Sequence, residues 1–371
     1  MIQKFSIQYV RALAALAVVF YHAMHYSKII AGAGGLYSAI GGIPGNIGVI
    51  AFFILSGYLM ADIAHKYAPI TFLWHRILRI YPIYWLCVVA ATALYFLLWL
   101  YVKPDTDYLP NIFAMLTQSP ESMFRLVLAP MGFVDYPLGI EWTLLYEATF
   151  YILVFLVLAS GRIALLPYFA SAWLVLIVFA LAFMPQLLTR SFQPLLPGLP
   201  LYTINSAFIF GILAAHIQPR IAHPLLTIGL GLAIVIQAVY FRTSWIEIEI
   251  GVGLTAFSLG LITLERQKRL IQLPWLAKLG DWSYALYLIH VPIIIATIKV
   301  AQPFYQGEWL VLGCVVMAVL AASIVGRMDV ALYRSLKRFF DDKPTAQRIG
   351  ITAFLAVFLS ASLLAWLASQ K

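Results

Sequence analysis

The residues of this chain best placed to do chemistry are ionisable side chains inside apolar stretches, because charge at membrane depth is costly and is kept where it serves a purpose. Arg11 and His22 stand in one such stretch, 11 residues apart. At the helical repeat they return to within about 20° of the same face, roughly 16 Å apart along the axis. A neutral imidazole there can take a proton at working pH, and a guanidinium can hold a phosphate or a carbonyl. The pair also reads as an arginine snorkelling to headgroups and a packing histidine, with His25 beside it at the interface. In TFLWHRILRIYPIYWL, residues 71 to 86, Arg76 and Arg79 are three apart and share a face. They can fork around phosphates or anchor the chain to headgroups. Pro82 predicts that an interfacial turn ends there and the next span begins.

Three further stretches carry polar groups. GIEWTLLYEATFYI, residues 139 to 152, places Glu147 deep in an apolar helix, one turn from Tyr151 and near Trp142 and Tyr146. A carboxylate at that depth is neutral or paired, and His22 and Arg11 are its expected partners. Glu141 is expected to be a hydrated helix-start residue. GVIAFFILSGYLM, residues 48 to 60, offers the hydroxyls of Ser56 and Tyr58 on either side of Gly57. Small-residue helix packing is the plainer account of that segment. LGDWSYALYLIHVPI, residues 279 to 293, has Asp281 and Ser283 at a helix start and His290 two turns deeper, as a site residue or a packing residue beside Pro292.

The elements that must position these groups follow from composition. Of 371 residues, 63% are hydrophobic and 11% charged, and the mean hydropathy is +0.92. A soluble domain is about a quarter charged, so the chain belongs in a bilayer. Apolar runs of spanning length predict an all-α bundle of eleven transmembrane helices, ten to twelve at the outside. They fall near residues 5 to 26, 47 to 64, 82 to 102, 141 to 159, 164 to 184, 201 to 217, 225 to 241, 247 to 264, 281 to 299, 309 to 328 and 348 to 368. The stretch 123 to 134 reads as a short surface half-helix, and 103 to 122 and 329 to 347 as the longest polar connections. With the N-terminus cytoplasmic, 15 Lys and Arg fall on that side and 7 on the other. The positive-inside rule then gives an N-in, C-out arrangement.

The formal charge of +9 is therefore topology rather than a nucleic-acid surface. Cys87 and Cys314, the two cysteines, sit in apolar runs and make neither a disulfide framework nor a four-ligand zinc site, and no metal is expected. Lys4, Arg11 and the apolar stretch 12 to 24 also fit a signal peptide cleaved near Ala31-Gly32-Ala33. The interruption Tyr26-Ser27-Lys28 argues for a retained helix. No internal repeat or low-complexity tract is visible.

Together, YVRALAALAVVFYHA, GVIAFFILSGYLM, HRILRIYPIYW, EWTLLYEATFYIL and LGDWSYALYLIH resemble, in this order, the motifs of the acyltransferase-3 family of integral-membrane acyltransferases. The resemblance is nearest to members that decorate exopolysaccharides. It implies an acyl-CoA donor, acetyl-CoA by family preference, taken from the cytoplasm. It further implies a glycan or lipid-linked saccharide acceptor, membrane lipid around the bundle, other polysaccharide-assembly proteins nearby, and a bacterial inner membrane. Because apolar spans run to residue 368, a single membrane domain over 1–371 is expected, without the extracytoplasmic domain that some members carry.

On this reading His22 is the general base for the acceptor hydroxyl, Glu147 fixes its tautomer, and Arg11 holds the donor's phosphate or pantetheine chain. The resemblance assigns Arg76 and Arg79 to the phosphates of CoA at the cytoplasmic mouth. Ser56, Tyr58, Trp142, Tyr151 and His290 line or orient the site. Direct transfer in a ternary complex is the simpler route, and an acyl-histidine intermediate is its variant. The competing class is a proton-coupled transporter or flippase, which also uses intramembrane Arg, His and Glu, but no pair of broken helices in matching halves is visible. A non-catalytic assembly subunit is the third class.

Overall fold

The computed structural model describes residues 5–102, 111–133, 135–184, 192–196 and 198–370. Lys4, Lys103, Asp105, Asp107, Arg190 and Lys371 of the charge pattern, and residues 103 to 110 of the connection 103 to 122, lie outside the described residues. The fold is helical, with one isolated β-bridge, Met131 to Leu195. In chain order the helices are α1 (Phe5–Ala31), α2 (Gly35–Ile40), α3 (Ile43–Ala64), α4 (Pro69–Tyr101), α5 (Ile112–Thr117), α6 (Glu141–Ala159) and α7 (Leu166–Phe183). They continue as α8 (Asn205–Ile217), α9 (Pro224–Phe241), α10 (Ile246–Arg266), α11 (Pro274–Asp281), α12 (Ser283–Ala301), α13 (Trp309–Asp341) and α14 (Pro344–Ala368). Pro69, Pro224, Pro274 and Pro344 each open a helix, where the missing N–H costs nothing and the ring presets the backbone angle.

Ten helices among the described residues are long and apolar enough to cross a membrane. The eleventh predicted span is α8, with 13 residues. It still runs between the two levels that α10 joins. Thr203, just before α8, donates to Glu247 at the start of α10, and Arg266 at the end of α10 donates to the carbonyls of Pro219 and Ile221 just after α8. Short 3-10 turns flanking α8 complete the path. The protein is a multi-pass integral-membrane helical bundle.

The bundle has a buried centre. In α1, α3, α6 and α12, 56–67% of the spanning window is buried within protein, against 17–22% in α7, α9 and α14. Arg11, His22, Ser56, Glu147 and His290 all sit on those four central helices. α1 packs antiparallel to α3, with Tyr21 against Gly45 and Ala14 against Gly48. It packs parallel to α12, with Arg11 at Ser283 and His22 at His290. α4 runs antiparallel to α13 and parallel to α14, which starts beside it through the Thr71–Gln347 hydrogen bond.

Two expected boundaries are corrected. α4 passes straight through Pro82, with no separate interfacial turn. Prolines are tolerated inside membrane helices, and close to this one the Tyr284 hydroxyl of α12 donates to the Ile80 carbonyl at 3.1 Å. α13 continues to Asp341, so most of the connection expected over 329 to 347 is helix. Its buried Asp329 and its bond from Asp341 to His75 tie it to α4.

Gly57 explains why the Ser-Gly-Tyr segment is built as it is. A Cβ there would lie 2.0 Å from the Phe208 carbonyl oxygen, and one on Gly211 2.0 Å from that of Ile54, so α3 and α8 cross backbone to backbone. Gly57→Ala and Gly211→Ala are each expected to cost about 1–3 kcal/mol or more through forced separation of the helices. A lowered unfolding temperature of the detergent-solubilised protein checks this, and an unchanged one would contradict the close crossing.

Candidate active site

A cavity of about 120 Å³ opens among α1, α3, α4, α6 and α12, with Arg11, Arg76, Arg79 and Glu147 as the charged groups of its wall. The central helices bring these groups together because each is the polar interruption of an otherwise apolar helix, and burial against each other is the alternative to meeting lipid. Glu147 accepts from the Ser56 hydroxyl at 2.9 Å and from the Tyr151 hydroxyl. Arg11 donates through Nε to Ser283 Oγ at 3.1 Å. Arg79 grips both carboxylate oxygens of Asp329 through Nη1, at 2.8 and 2.9 Å, and lies over the rings of Tyr284 and Tyr333. Arg76 lies over the Tyr151 ring, and its buried Nε has no hydrogen-bond partner.

The two arginines of the HRILR segment therefore differ. Arg79 has its charge answered within the protein, whereas Arg76 offers an unused donor at the cavity wall. A fork in which both hold the same phosphate is not what the geometry presents.

Tyr287 and Thr143 also line the cavity, and their hydroxyls meet at 2.6 Å. On the other side of Tyr287, its ring centroid 5.7 Å away, lies His290. Nδ1 of His290 faces the carbonyls of Tyr287 and Leu286 at 2.7 and 3.2 Å. Carbonyl oxygens only accept, so Nδ1 carries the hydrogen and Nε2 of the neutral ring is a lone pair. That lone pair lies 3.0 Å from Nδ1 of His22, which also faces the Val18 carbonyl at 3.0 Å. Both neighbours accept, which puts the hydrogen of His22 on Nδ1. Its Nε2 is then an unprotonated acceptor with no hydrogen-bond partner among the described residues. Around it, Tyr21 and Tyr26 pack on the His22 ring, and His25 and Tyr37 extend the aromatic group.

The expected partnership of His22 with Glu147 is thus replaced. Glu147 is held by Ser56 and Tyr151 beside the arginines, and His290 orients His22. The reason lies in register: α12 runs parallel to α1, so the same two helices that join Ser283 to Arg11 join His290 to His22 two to three turns further on. Of the other expected site residues, Ser56 and Tyr151 line the cavity and Tyr58 and Trp142 do not. Tyr58 packs with Ile7, Val10 and Leu55 in the α1–α3 core, and Trp142 makes edge contacts with Tyr146 and Phe192. Glu141 does start α6, but it is fully buried rather than hydrated, accepting from the backbone N–H of Leu138 and Ile140 at 2.8 and 2.9 Å.

Sequence reasoning passed over Tyr287, Thr143, Phe52 and Asp329. Tyr287 stands three residues before His290, one helical turn, and that spacing could have nominated it. Nothing nominates Asp329, an acid followed by a strongly basic run, until α13 lies against α4.

Comparison with known proteins agrees with the chemistry of this site. A family model described as an acyltransferase domain, that of the third acyltransferase family, matches residues 4–328. The exopolysaccharide production protein ExoZ of Rhizobium meliloti (strain 1021) is 26% identical over 327 residues, covering 84% of this chain and 94% of that protein. No solved structure matches the chain. A matched stretch this long makes the assignment plain: the chain belongs to the acyltransferase-3 family of integral-membrane acyltransferases.

Proposed function

We propose that this protein moves an acetyl or related short acyl group from acyl-CoA to a sugar hydroxyl of a polysaccharide or lipid-linked glycan, within a bacterial cytoplasmic membrane. The observation that carries the proposal is the free Nε2 of His22, oriented by His290, one tyrosine away from a cavity walled by Arg11, Arg76 and Arg79. The end of the bundle where α1 starts holds Lys66, Arg266, Lys278 and Arg334, and this basic end supports donor entry from the cytoplasm. The printed name of the ExoZ relative supports a polysaccharide acceptor. The aromatic rings about His22 make a wall suited to the apolar face of a sugar.

In this mechanism the acceptor hydroxyl gives its proton to His22 Nε2 as its oxygen attacks the thioester carbonyl. The His22 Nδ1–H bond to His290 stabilises the imidazolium. Arg76 and Arg11 are cations of the cavity wall that a bound donor would meet. Collapse breaks the carbon–sulfur bond, and the CoA thiolate takes back the proton.

Purified protein given acetyl-CoA and a glycan acceptor is expected to release free CoA and O-acetylated glycan. Passage of intact glycan across a vesicle membrane without CoA release would instead make it a transporter. His290 has its own signature as a positioning residue. His290→Leu is expected to lower kcat by about ten- to a hundredfold, the worth of one hydrogen bond to a charged group. His290→Gln, whose side-chain oxygen still accepts from His22, is expected to recover most of the loss. Equal activity in the two variants would assign His290 to packing.

A further inference from the structure

A second cavity lies at the basic end of the bundle, a cleft of about 500 Å³ between the start of α1, α11 and the C-terminal half of α13. Its wall includes Lys278, Arg327 and Arg334, with Asp281 as the one acid and Trp282 between them. Trp282 packs against α13 at Gly326, where a Cβ would lie 2.5 Å from its indole. Its ring lies 5.7 Å from the Lys278 ammonium and 5.8 Å from the Arg327 guanidinium, so one fixed indole holds two of the three cations by cation–π attraction.

The cleft adjoins the site already described. Asp281 lies within electrostatic reach of Lys278 and Arg334 on its own side and of Arg11 and Arg79 on the other. Two residues on, Ser283 accepts from Arg11. Burial raises the pKa of Asp281, and the neighbouring cations oppose that shift.

Size divides the labour between the two spaces. The 120 Å³ cavity has room for about four waters, enough for an acyl thioester and no nucleotide. The 500 Å³ cleft falls within the roughly 300–1,000 Å³ range of small-molecule sites. Resting on the proposed donor, we propose that this cleft binds the phosphorylated nucleotide end of the acyl-CoA, with Lys278, Arg327 and Arg334 on its phosphates and the pantetheine arm passing Asp281 and Arg11 to the transfer cavity. This moves the phosphate contacts from Arg79, which is committed to Asp329, to the three cations of the cleft wall. Anionic lipid headgroups share the phosphate chemistry and are the rival source.

The test compares acetyl-CoA with S-acetylpantetheine, the same thioester without the nucleotide, on the full chain in phosphatidylcholine nanodiscs. Changing Arg327 and Arg334 together to alanine, and Lys278→Ala separately, is expected to lower the ratio of kcat/KM for acetyl-CoA to that for S-acetylpantetheine by about tenfold or more. Adenosine 3′,5′-bisphosphate is expected to bind wild type, by calorimetry, and to lose that binding in the variants. An unchanged ratio overturns the proposal, as does an effect seen only when anionic lipid is added, which assigns the cleft to headgroups. If neither thioester is turned over by wild type, the acyl-CoA reading itself fails, and nucleotide binding alone decides whether the cleft is a nucleotide site.

Discussion

His22→Ala is expected to lower kcat for acyl transfer by about two to four orders of magnitude, the usual worth of a positioned general base. The KM for the donor is expected to stay near that of wild type, because His22 is not among the residues lining the arginine-walled cavity. His22→Gln is expected to fall as far. A glutamine can donate to His290 and Val18, as Nδ1 does now, but it has no basic nitrogen to take the hydroxyl proton. The comparison separates chemistry from packing: both variants should keep the unfolding temperature within a few degrees of wild type while losing turnover. Full activity in either folded variant would refute the base assignment. Equal loss of kcat and of donor binding would place His22 in the binding of the donor.

Asp329→Asn is expected to be the most destabilising single change at this site, by about 3–5 kcal/mol, because it strips the counter-charge from a buried guanidinium. The carboxylate is 2% exposed and Arg79 20% exposed, so water cannot replace it cheaply. The double change Arg79→Met with Asp329→Leu is expected to recover much of that stability, since two apolar side chains leave no orphaned charge. Thermal unfolding of the three proteins in one detergent checks the order. The same series tests how Arg79 acts. If it reached out to donor phosphate instead of holding α4 to α13, Asp329→Asn would leave stability unchanged and alter only the KM for the donor. Arg76, three residues earlier, makes no such pair, and the cavity is expected to depend on it for donor contact.

Much of this protein is legible before any coordinates. The apolar runs announce the spans because a bilayer forces every buried backbone group into a helix, leaving one secondary structure to choose. α8 is the exception that shows how the rule works. At 13 residues it is too short to span by itself, and the apolar run 201 to 217 that suggested a span takes in its flanking turns. Pro82 misled in the opposite direction. A proline reads as a boundary in water, whereas membrane helices tolerate it and α4 runs straight through.

The residues able to do chemistry were also legible, since 11% charge in an apolar chain leaves few candidates. Arg11, His22, Glu147 and His290 stand out by depth alone. Their partners do not, because pairing depends on which helices are neighbours and on whether they run parallel, and neither is encoded in spacing along one helix. Parallel packing of α1 on α12 gives His22 a histidine instead of a glutamate. Antiparallel packing of α4 on α13 pairs Arg79 with Asp329 and leaves the Arg76 Nε without a hydrogen-bond partner among the described residues. By itself, then, the sequence determined that the protein spans a membrane and which side chains carry reactivity. Only the tertiary structure decided which of them meet, because contacts between helices distant in sequence are set by the whole bundle's packing.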